Sequence, residues 1–403
     1  MHPDALPLIG LAALMRQTMA GGDLAPLGQT LMARARENPN DANALFDLST
    51  LLQINRNREL ALSVQRQALE MQQCYRAPAA DATPGLRVLA LMAPGDLMAN
   101  TPIECLLEGS DVRLDMLYVA PWLPFPAEIP EHDVLFVAAG EPDRNQATLD
   151  LIASFLPGWS RPVIHTPERI AQLTRDGAAT CLWDAPGLVI PRVACIEREI
   201  LAAIGASSRT VIEIVSDGDF PIIVRPVGSH AGRWLEKLDT PVAVAAYLAT
   251  QPDSHFYISR FVDYRSPDGQ FRKYRIVLID GHPYLCHLGI SDHWMIHYLN
   301  AGMVESAEKR AEEAACMDSF GEGFARRHAA AMQAIYRRMG LAYLGIDCAE
   351  TPDGQFLVFE VDTGMIVHDM DPPDIFPYKH AHMGKVFAAF RRMLERAARG
   401  ETP

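Results

Sequence analysis

Apolar residues recur at intervals of three and four from about Leu24 to Tyr75, which is the spacing of one face of an amphipathic helix. The polar segment 38–41, whose second residue is proline, divides this stretch in two. The pattern therefore predicts a helix-turn-helix arrangement. The preceding apolar run from Ala5 to Met15 contains a proline and a glycine and is too short to span a bilayer, so we interpret it as a buried amphipathic helix.

A second pattern begins after residues 76–84, whose alanine, proline, aspartate and threonine content is typical of a linker. Short apolar runs follow, with a helical pattern between the last two, at 87–92, 112–119, 133–140 and 162–165. Short apolar strands that alternate with helices predict a small parallel α/β layer.

The remaining strands are expected in the second half of the chain, at 220–226, 255–263, 273–281, 343–350 and 355–362. The last two are joined by 351–354, a strong hairpin signal. Residues 304–339 have a helical pattern with a break near Gly321 and Gly323, and Gly340 is expected to end the helix. The fold class is therefore α/β (α+β), and 403 residues allow two to three domains at about 150 residues each.

The charge and cysteine content indicate which classes of partner and which cellular compartment to expect. The chain has 36 basic and 50 acidic residues, a net charge of -14, so phosphate backbones and anionic lipids would repel it as a whole. We expect neither a nucleic acid nor a membrane as its main partner. Its seven cysteines are scattered and form no C-x-x-C pair, which favours a reducing cytoplasm over a disulfide framework.

The strand 220–226 carries one cation, Arg225, close to its end, and a loop of small residues follows at 227–232. Small residues let backbone N-H groups approach phosphate oxygens, and a guanidinium at the root of the loop can bind a phosphate through two hydrogen bonds. This order predicts a phosphate site. Glycines also mark ordinary hairpins, so the structural alternative stays open.

Two further cations, Lys273 and Arg275, lie on one face of the next basic strand, because side chains alternate along a strand. They can contact phosphate. A solvated edge that discourages aggregation is the alternative for Lys273.

Three carboxylates belong to the hairpin that follows. Glu360 and Asp362 share a face by the two-residue period. Asp347 joins that face if the turn has an even number of loop residues, and it faces away if the turn has three. Converging carboxylates repel one another unless cations hold them, and hard divalent cations prefer oxygen ligands. An acidic outer face is the alternative.

The order of these motifs, from about Leu86 to Phe390, resembles the ATP-grasp superfamily and particularly its glutathione-synthetase-like branch. The resemblance implies a two-lobed ATP-grasp fold, a preceding α/β domain, ATP and Mg2+. It implies magnesium ligation by Asp347, Glu360 and Asp362. It assigns nucleotide binding to the strand end, the glycine loop, the hinge and the basic strand. Arg225 stands in place of a usual lysine, and Asp263 is a candidate for binding the ribose. The implied nucleotide-binding residues are Arg225, Gly228, Ser229, His230, Gly232, Phe261, Val262, Asp263 and Lys273.

The catalytic residues that the resemblance implies are Arg275, His287 and His293. Arg275 matches a phosphate-contacting arginine of the family. An expected arginine is replaced by Gly289, so phosphate neutralisation would fall to the two histidines or to a residue from another segment. A loop histidine held by ordinary hydrogen bonds is the alternative for His293. Arg260 and Asp362 also depart from the family, which commonly has an acid and an asparagine there.

The N-terminal helical pattern resembles a tetratricopeptide repeat, of which about one and a half copies are visible. An ordinary helical cap is the alternative. The predicted domains are a tetratricopeptide-like region at 1–78, a pre-ATP-grasp α/β domain at 84–195 and the ATP-grasp domain at 196–403.

The resemblance implies a cytoplasmic, ATP-dependent carboxylate-amine ligase that acts through an acyl phosphate on small-molecule or peptide substrates. The helical region would bind a protein partner or form a homodimer. A non-catalytic nucleotide-binding scaffold and an ATP-grasp kinase are the alternatives.

Overall fold

The computed structural model describes residues 6–78, 84–140, 142–229 and 232–401. The chain is mixed α/β, which confirms the fold class predicted from the pattern. Its helices are α1 Leu11–Met19, α2 Ala25–Glu37, α3 Ala42–Ile54, α4 Arg58–Met71, α5 Ile103–Leu106, α6 Pro142–Phe155, α7 Pro167–Ile170, α8 Arg175–Leu182, α9 Arg198–Gly205, α10 Pro241–Thr250, α11 Ala307–Ser319, α12 Ala329–Met339 and α13 Lys379–Ala398. No helix in the described ranges is long and apolar enough to cross a membrane.

The strands are β1 Cys74–Arg76, β2 Leu86–Met92, β3 Val112–Tyr118, β4 Val134–Val137, β5 Val163–Ile164, β6 Leu188–Val189, β7 Val193–Glu197, β8 Ile222–Pro226, β9 Glu236–Leu238, β10 His255–Arg260, β11 Phe271–Ile279, β12 His282–Ser291, β13 Tyr343–Glu350 and β14 Phe356–Asp362. They form sheets of order β1-β3-β2-β4-β5, β7-β10-β8-β9 and β12-β11-β13-β14-β6.

The chain divides into two compact units. Unit 1 comprises residues up to 171, 341–344 and those from 362 onward, and unit 2 comprises 172–340 and 345–361. The three domains predicted from the sequence are proposed folding units, and that division stays a prediction.

In unit 1, the N-terminal helices and the first sheet share one core. The predicted turn at 38–41 separates α2 from α3, and the Asp41 carboxylate caps α3 by accepting from the Ala44 N-H at 2.9 Å. Strand β1, which the helical pattern did not predict, follows α4 and pairs antiparallel with β3. It buries Tyr75 completely, with the ring stacked on Phe46 of α3 at 4.2 Å and 6.2 Å from Tyr118 of β3.

Strands β2, β3, β4 and β5 are parallel, as the apolar runs predicted. After β3 the chain crosses to the other side of β2, and ligands of open α/β sheets commonly bind at such a switch point, beyond the carboxyl ends of the strands. Here the segment after β2 enters this crevice. The Thr101 N-H donates to the Ala138 carbonyl and the Gly140 N-H to the Ala99 carbonyl, both at 2.8 Å.

Unit 2 contains the other two sheets. The predicted break between helices is a π-helical turn at Gly321–Ala325 between α11 and α12. Gly340 ends α12 with φ +64°, a conformation that glycine adopts without a steric penalty. The sheets position the functional candidates, because β8 carries Arg225, β11 carries Lys273 and Arg275, and the β13-β14 hairpin carries the carboxylates.

Candidate functional site

Asp347 of β13 lies between two cations of the neighbouring strand. Its side chain accepts from Lys273 Nζ at 2.7 Å, and from Arg275 Nε at 2.8 Å and Nη2 at 3.0 Å. Residues two apart on β11 point to the same face, so both cations reach the same carboxylate. The two cations are therefore brought together as the strand pattern predicted, and their immediate partner is a carboxylate of the same chain.

The electrostatics of this triad follow from its burial. Asp347 is 3% exposed, and burial alone would raise its pKa. The charges and hydrogen bonds of Arg275 and Lys273 outweigh that effect and hold the pKa of Asp347 well below its usual value. Asp347 is consequently ionised throughout the physiological range.

Glu360 of β14 has a different partner. Arg175 donates to its Oε1 at 2.6 Å from the first turn of α8, whose start is fixed by the Thr174 hydroxyl accepting from the Gly177 N-H at 3.1 Å. Burial raises the pKa of Glu360, but the positive charges of Arg175 and Arg225 lower it by more, so the net shift of the pKa is downward. The charge of Asp347 also acts on Glu360, which links the two carboxylates into one electrostatic group.

Arg225 of β8 is a buried cation with incomplete partners. It is 7% exposed, its Nε donates to the Ser229 hydroxyl at 3.0 Å, and its Nη2 has no partner among the described residues. Burial lowers the pKa of Arg225, and the charge of Arg175 lowers it further. An arginine stays charged in practice, so the downward shift expresses a buried positive charge that its surroundings do not neutralise.

We call Arg175, Arg225, Lys273 and Arg275, together with Asp347 and Glu360, the cation cluster. Its four positive and two negative side chains give it a net charge of +2. Excess charge at a partly buried site is costly unless a counter-ion joins it. The cluster is therefore suited to an anion with several negative charges.

The loop after β8 turns back onto its own strand. Gly228 and Gly232 both have φ +70°, which favours glycine. The Ser229 hydroxyl donates to the Pro226 carbonyl at 2.7 Å while it accepts from Arg225. A side chain at 232 would also crowd Met295, whose sulfur lies 3.2 Å from an added Cβ. His230, expected in this loop, lies outside the described residues.

The predicted hinge follows β10. Phe261 packs edge-to-face on Trp294 with ring centroids 5.6 Å apart, and Lys237 Nζ lies 4.9 Å from the centre of its ring. Val262 is half-buried, and Asp263 is exposed and accepts from the Arg265 N-H at 3.0 Å. These residues line one short segment, and their adenine and ribose contacts stay a prediction.

Two departures from the family pattern have structural explanations. Arg260, at a position that is commonly acidic, is paired with Asp217 at 3.0 Å. At Gly289 an added Cβ would lie 2.9 Å from Ile296 Cγ2, so an arginine would require Ile296 to move.

The two histidines expected to be catalytic lie in different settings. His287 of β12 is directly opposite Arg275 in the ladder, and its ring stacks on Tyr298 at 4.3 Å. His293 is exposed, and its Nδ1 accepts from the Met295 N-H at 3.1 Å. Both roles stay predictions.

The carboxylates do not fit a divalent cation as they stand. Asp347 and Glu360 are bound to cations of this chain, and Asp362 accepts from the Gly364 N-H at 2.9 Å. Within the described ranges, no group of three or more His, Cys, Asp or Glu side chains is placed to hold a metal. Magnesium ligation by Asp347, Glu360 and Asp362 therefore stays a prediction.

The hairpin turn decides an alternative that the sequence left open. The Thr351 N-H donates to the Gln355 carbonyl and the Gly354 N-H to the Thr351 carbonyl, so the loop has three residues, 352–354. Strict alternation would then turn Asp347 away from Glu360. The charge of Asp347 still acts on Glu360. An electrostatic effect of this kind does not require the two side chains to share a face of the sheet.

Sequence reasoning missed two members of the site. Arg175 was not among the predicted site residues, because nothing in the sequence pairs it with a residue 185 positions away. His297 was not predicted either; burial and the charges of Lys273 and Arg275 lower its pKa, which favours a neutral imidazole near the cation cluster. The Thr174 cap signal marks the start of α8, but it does not identify the partner of Arg175.

Comparisons with known proteins give distant structural likenesses. The chain is similar to an ATP-grasp RimK domain protein from Sphaerobacter thermophilus, with 16% identity and a TM-score of 0.42 over 76% of this chain and 99% of that chain. It is also similar to a D-alanine-D-alanine ligase from Bacillus anthracis in a complex with ATP, with 14% identity and a TM-score of 0.46 over 79% of this chain and 100% of that chain. A D-alanine-D-alanine ligase from Coxiella burnetii has 11% identity and a TM-score of 0.49 over 78% of this chain and 97% of that chain. No protein-family model and no curated protein matches the chain. At this level of similarity, the neighbours do not identify an activity for the chain.

Proposed function

We propose that this chain is an ATP-grasp enzyme that binds ATP at the cation cluster and joins a carboxylate to an amine. The observation that carries the proposal is the buried, incompletely paired guanidinium of Arg225 within a cluster of net charge +2. A triphosphate supplies the negative charge and the hydrogen-bond acceptors that this cluster lacks. The order of motifs along the sequence supports the same family.

The cluster would act by positioning and by charge neutralisation. Arg225 would bind phosphate oxygens through Nη2, while Ser229 keeps its Nε in place. Lys273 and Arg275 are held by Asp347, so they would meet the phosphates already oriented. His297, held neutral, can accept a proton.

In the proposed reaction, a substrate carboxylate oxygen attacks the terminal phosphorus of ATP and ADP leaves. The amine nitrogen then attacks the carbonyl carbon of the acyl phosphate, phosphate leaves, and the nitrogen loses a proton. The residues of this chain hold the phosphates and the reacting groups in line, which converts encounters in solution into reactions within one complex.

The first test is nucleotide binding. ATP at about 100 times its dissociation constant adds about 2.7 kcal/mol to the free energy of unfolding, so the melting temperature should rise. Arg225→Met should abolish most of this rise without destabilising the protein, because it removes a buried charge that is not neutralised. Arg209→Met is the matched control, since Arg209 is 46% exposed in a loose pair with Glu213. Equal responses of both variants would contradict the proposal.

The second test is turnover. ADP and phosphate release are measured with pooled carboxylic acids and amines, and mass spectrometry identifies a product lighter than its two parents by one water. A stable phosphorylated product would show that the protein is a kinase and not a ligase. Binding of ATP without turnover in any pool would favour a scaffold.

A further inference from the structure

Unit 1 contains a cavity of about 50 Å³ between the N-terminal helices and the segment that follows β2. Helix α3 contributes Thr50 and Gln53 to its wall, and the segment after β2 contributes Thr101 and Glu104. The side-chain amide of Gln65 fixes the opposite lip, because it donates to the Gly95 carbonyl and accepts from the Gly95 N-H, both at 2.9 Å. The cavity therefore has walls held by hydrogen bonds.

Two polar atoms of this wall have no hydrogen-bond partner in the part of the chain that the structure describes. Thr101 is 1% exposed, and its hydroxyl oxygen makes no hydrogen bond. The same holds for Gln53 Oε1, whose orientation is fixed because Nε2 of the same amide donates to the Gly95 carbonyl at 3.3 Å. A buried polar atom without a hydrogen-bond partner destabilises the folded protein. Both atoms can accept a hydrogen bond from a ligand in the cavity.

The third acceptor is a carboxyl group that can carry a charge. Glu104 accepts from the Leu11 N-H at 3.1 Å and has no ion-pair partner among the described residues, and burial raises its pKa to about 7. The other carboxylate in the wall, Asp96, is already paired with Arg58 at 3.0 Å and Arg144 at 3.1 Å. Glu104 is thus the acid of this wall that still lacks a cation.

We propose that this cavity binds a small ammonium group, either the ammonium ion or the end of a primary amine. Such a group carries one positive charge for Glu104 and several N-H donors for Gln53 Oε1 and the Thr101 hydroxyl. A quaternary ammonium has no N-H and could not donate a hydrogen bond to either oxygen. Water could supply donors to the same oxygens, but it leaves the carboxylate without a counter-charge.

The inference goes beyond the proposed function, since the site needs neither ATP nor any residue of the cation cluster. The two proposals can therefore fail separately. A chain that does not bind ATP can still bind an amine here, and the test below contains no nucleotide.

The test titrates the full chain with methylammonium chloride at about pH 8, where a carboxyl group with a pKa near 7 is mostly ionised. Calorimetry and the melting temperature are measured against sodium chloride and tetramethylammonium chloride of equal ionic strength. The expected result is a saturable response to methylammonium alone. The same response to all three salts, or none, would overturn the proposal and leave a hydrated cavity.

Variants identify the residues responsible. Glu104→Gln should weaken methylammonium binding at least about tenfold, because a hydrogen bond to a charged group is worth roughly 1.5–3 kcal/mol. Thr101→Val, which keeps the charge, should weaken it by a smaller factor. Glu108→Gln is the matched control on the same segment, because Glu108 is paired with Arg16 at 2.7 Å and does not line the cavity. Unchanged affinity in both Glu104→Gln and Thr101→Val would refute the assignment.

Discussion

Asp347 in unit 2 and Asp47 in unit 1 are both buried carboxylates, 3% and 0% exposed, but their pKa values shift in opposite directions. Asp347 lies between Lys273 and Arg275, which lower its pKa. Asp47 accepts only from two backbone groups, the Ile9 N-H at 2.8 Å and the Gly10 N-H at 3.0 Å, and burial raises its pKa to about 6. Burial therefore does not decide whether a buried acid is charged; the charge of its partners does.

The largest expected effect comes from removing the negative charge of Asp347. Asp347→Asn leaves two partly buried cations without their buried carboxylate, and we expect it to lower the free energy of unfolding by about 3–5 kcal/mol. Urea denaturation measures the loss. Asp239→Asn is the control, because Asp239 is 67% exposed in its pair with Lys237, and we expect a change below about 1 kcal/mol. Similar losses in the two variants would show that the triad is not a buried charge network.

Asp47 should produce a pH dependence of the opposite sign. Its folded pKa is raised, so its contribution to stability is fully present below about pH 4 and is lost as pH rises through about 6. Asp347 has a lowered pKa, so its contribution is present above about pH 4 and is lost as the pH falls further. Each difference of one in pKa corresponds to about 1.4 kcal/mol.

In the wild type, the free energy of unfolding should fall by up to about 3 kcal/mol between about pH 4 and pH 7 because Asp47 ionises. Asp47→Asn should remove this pH-dependent loss. The measurement is the free energy of unfolding of wild type and variant at several pH values in this window. A difference between the two curves that stays constant with pH would show that Asp47 titrates normally.

The smallest expected effect separates the two cations of the triad. Arg275 binds Asp347 through two nitrogens and Lys273 through one. We expect Arg275→Met to lower the free energy of unfolding by about 2 kcal/mol and Lys273→Met by about 1 kcal/mol. Denaturant titrations of both variants check the order, and a larger loss for Lys273→Met would contradict the bidentate geometry.

The sequence was a good guide to the fold where local patterns decide the structure. Apolar runs located β2, β3, β4 and β5, and the Thr351–Gly354 turn located the last hairpin. Strand β1 was missed because three residues after a helix form a strand only through pairing with β3, which is distant in sequence. Secondary structure of that kind depends on tertiary contacts, which no local pattern contains.

The site was partly predictable for the same reason. Lys273 and Arg275 share a face by alternation, and the sequence identified both. It did not reveal that Arg175 binds Glu360, that Asp47 is buried or that Glu104 is partly buried, since single charged residues in a helical pattern have the same signature whether solvent or protein surrounds them.

Strand β1 covers one edge of the first sheet. The order β1-β3-β2-β4-β5 makes β3 an interior strand only because β1 covers it, and β3 is nearly all buried. Without the first 78 residues, β3 would become an apolar edge with unpaired backbone groups, which is a template for edge-to-edge aggregation. The N-terminal segment therefore supplies the strand that closes this edge, and we expect a chain shortened to its α/β part to need a substitute edge to remain dispersed.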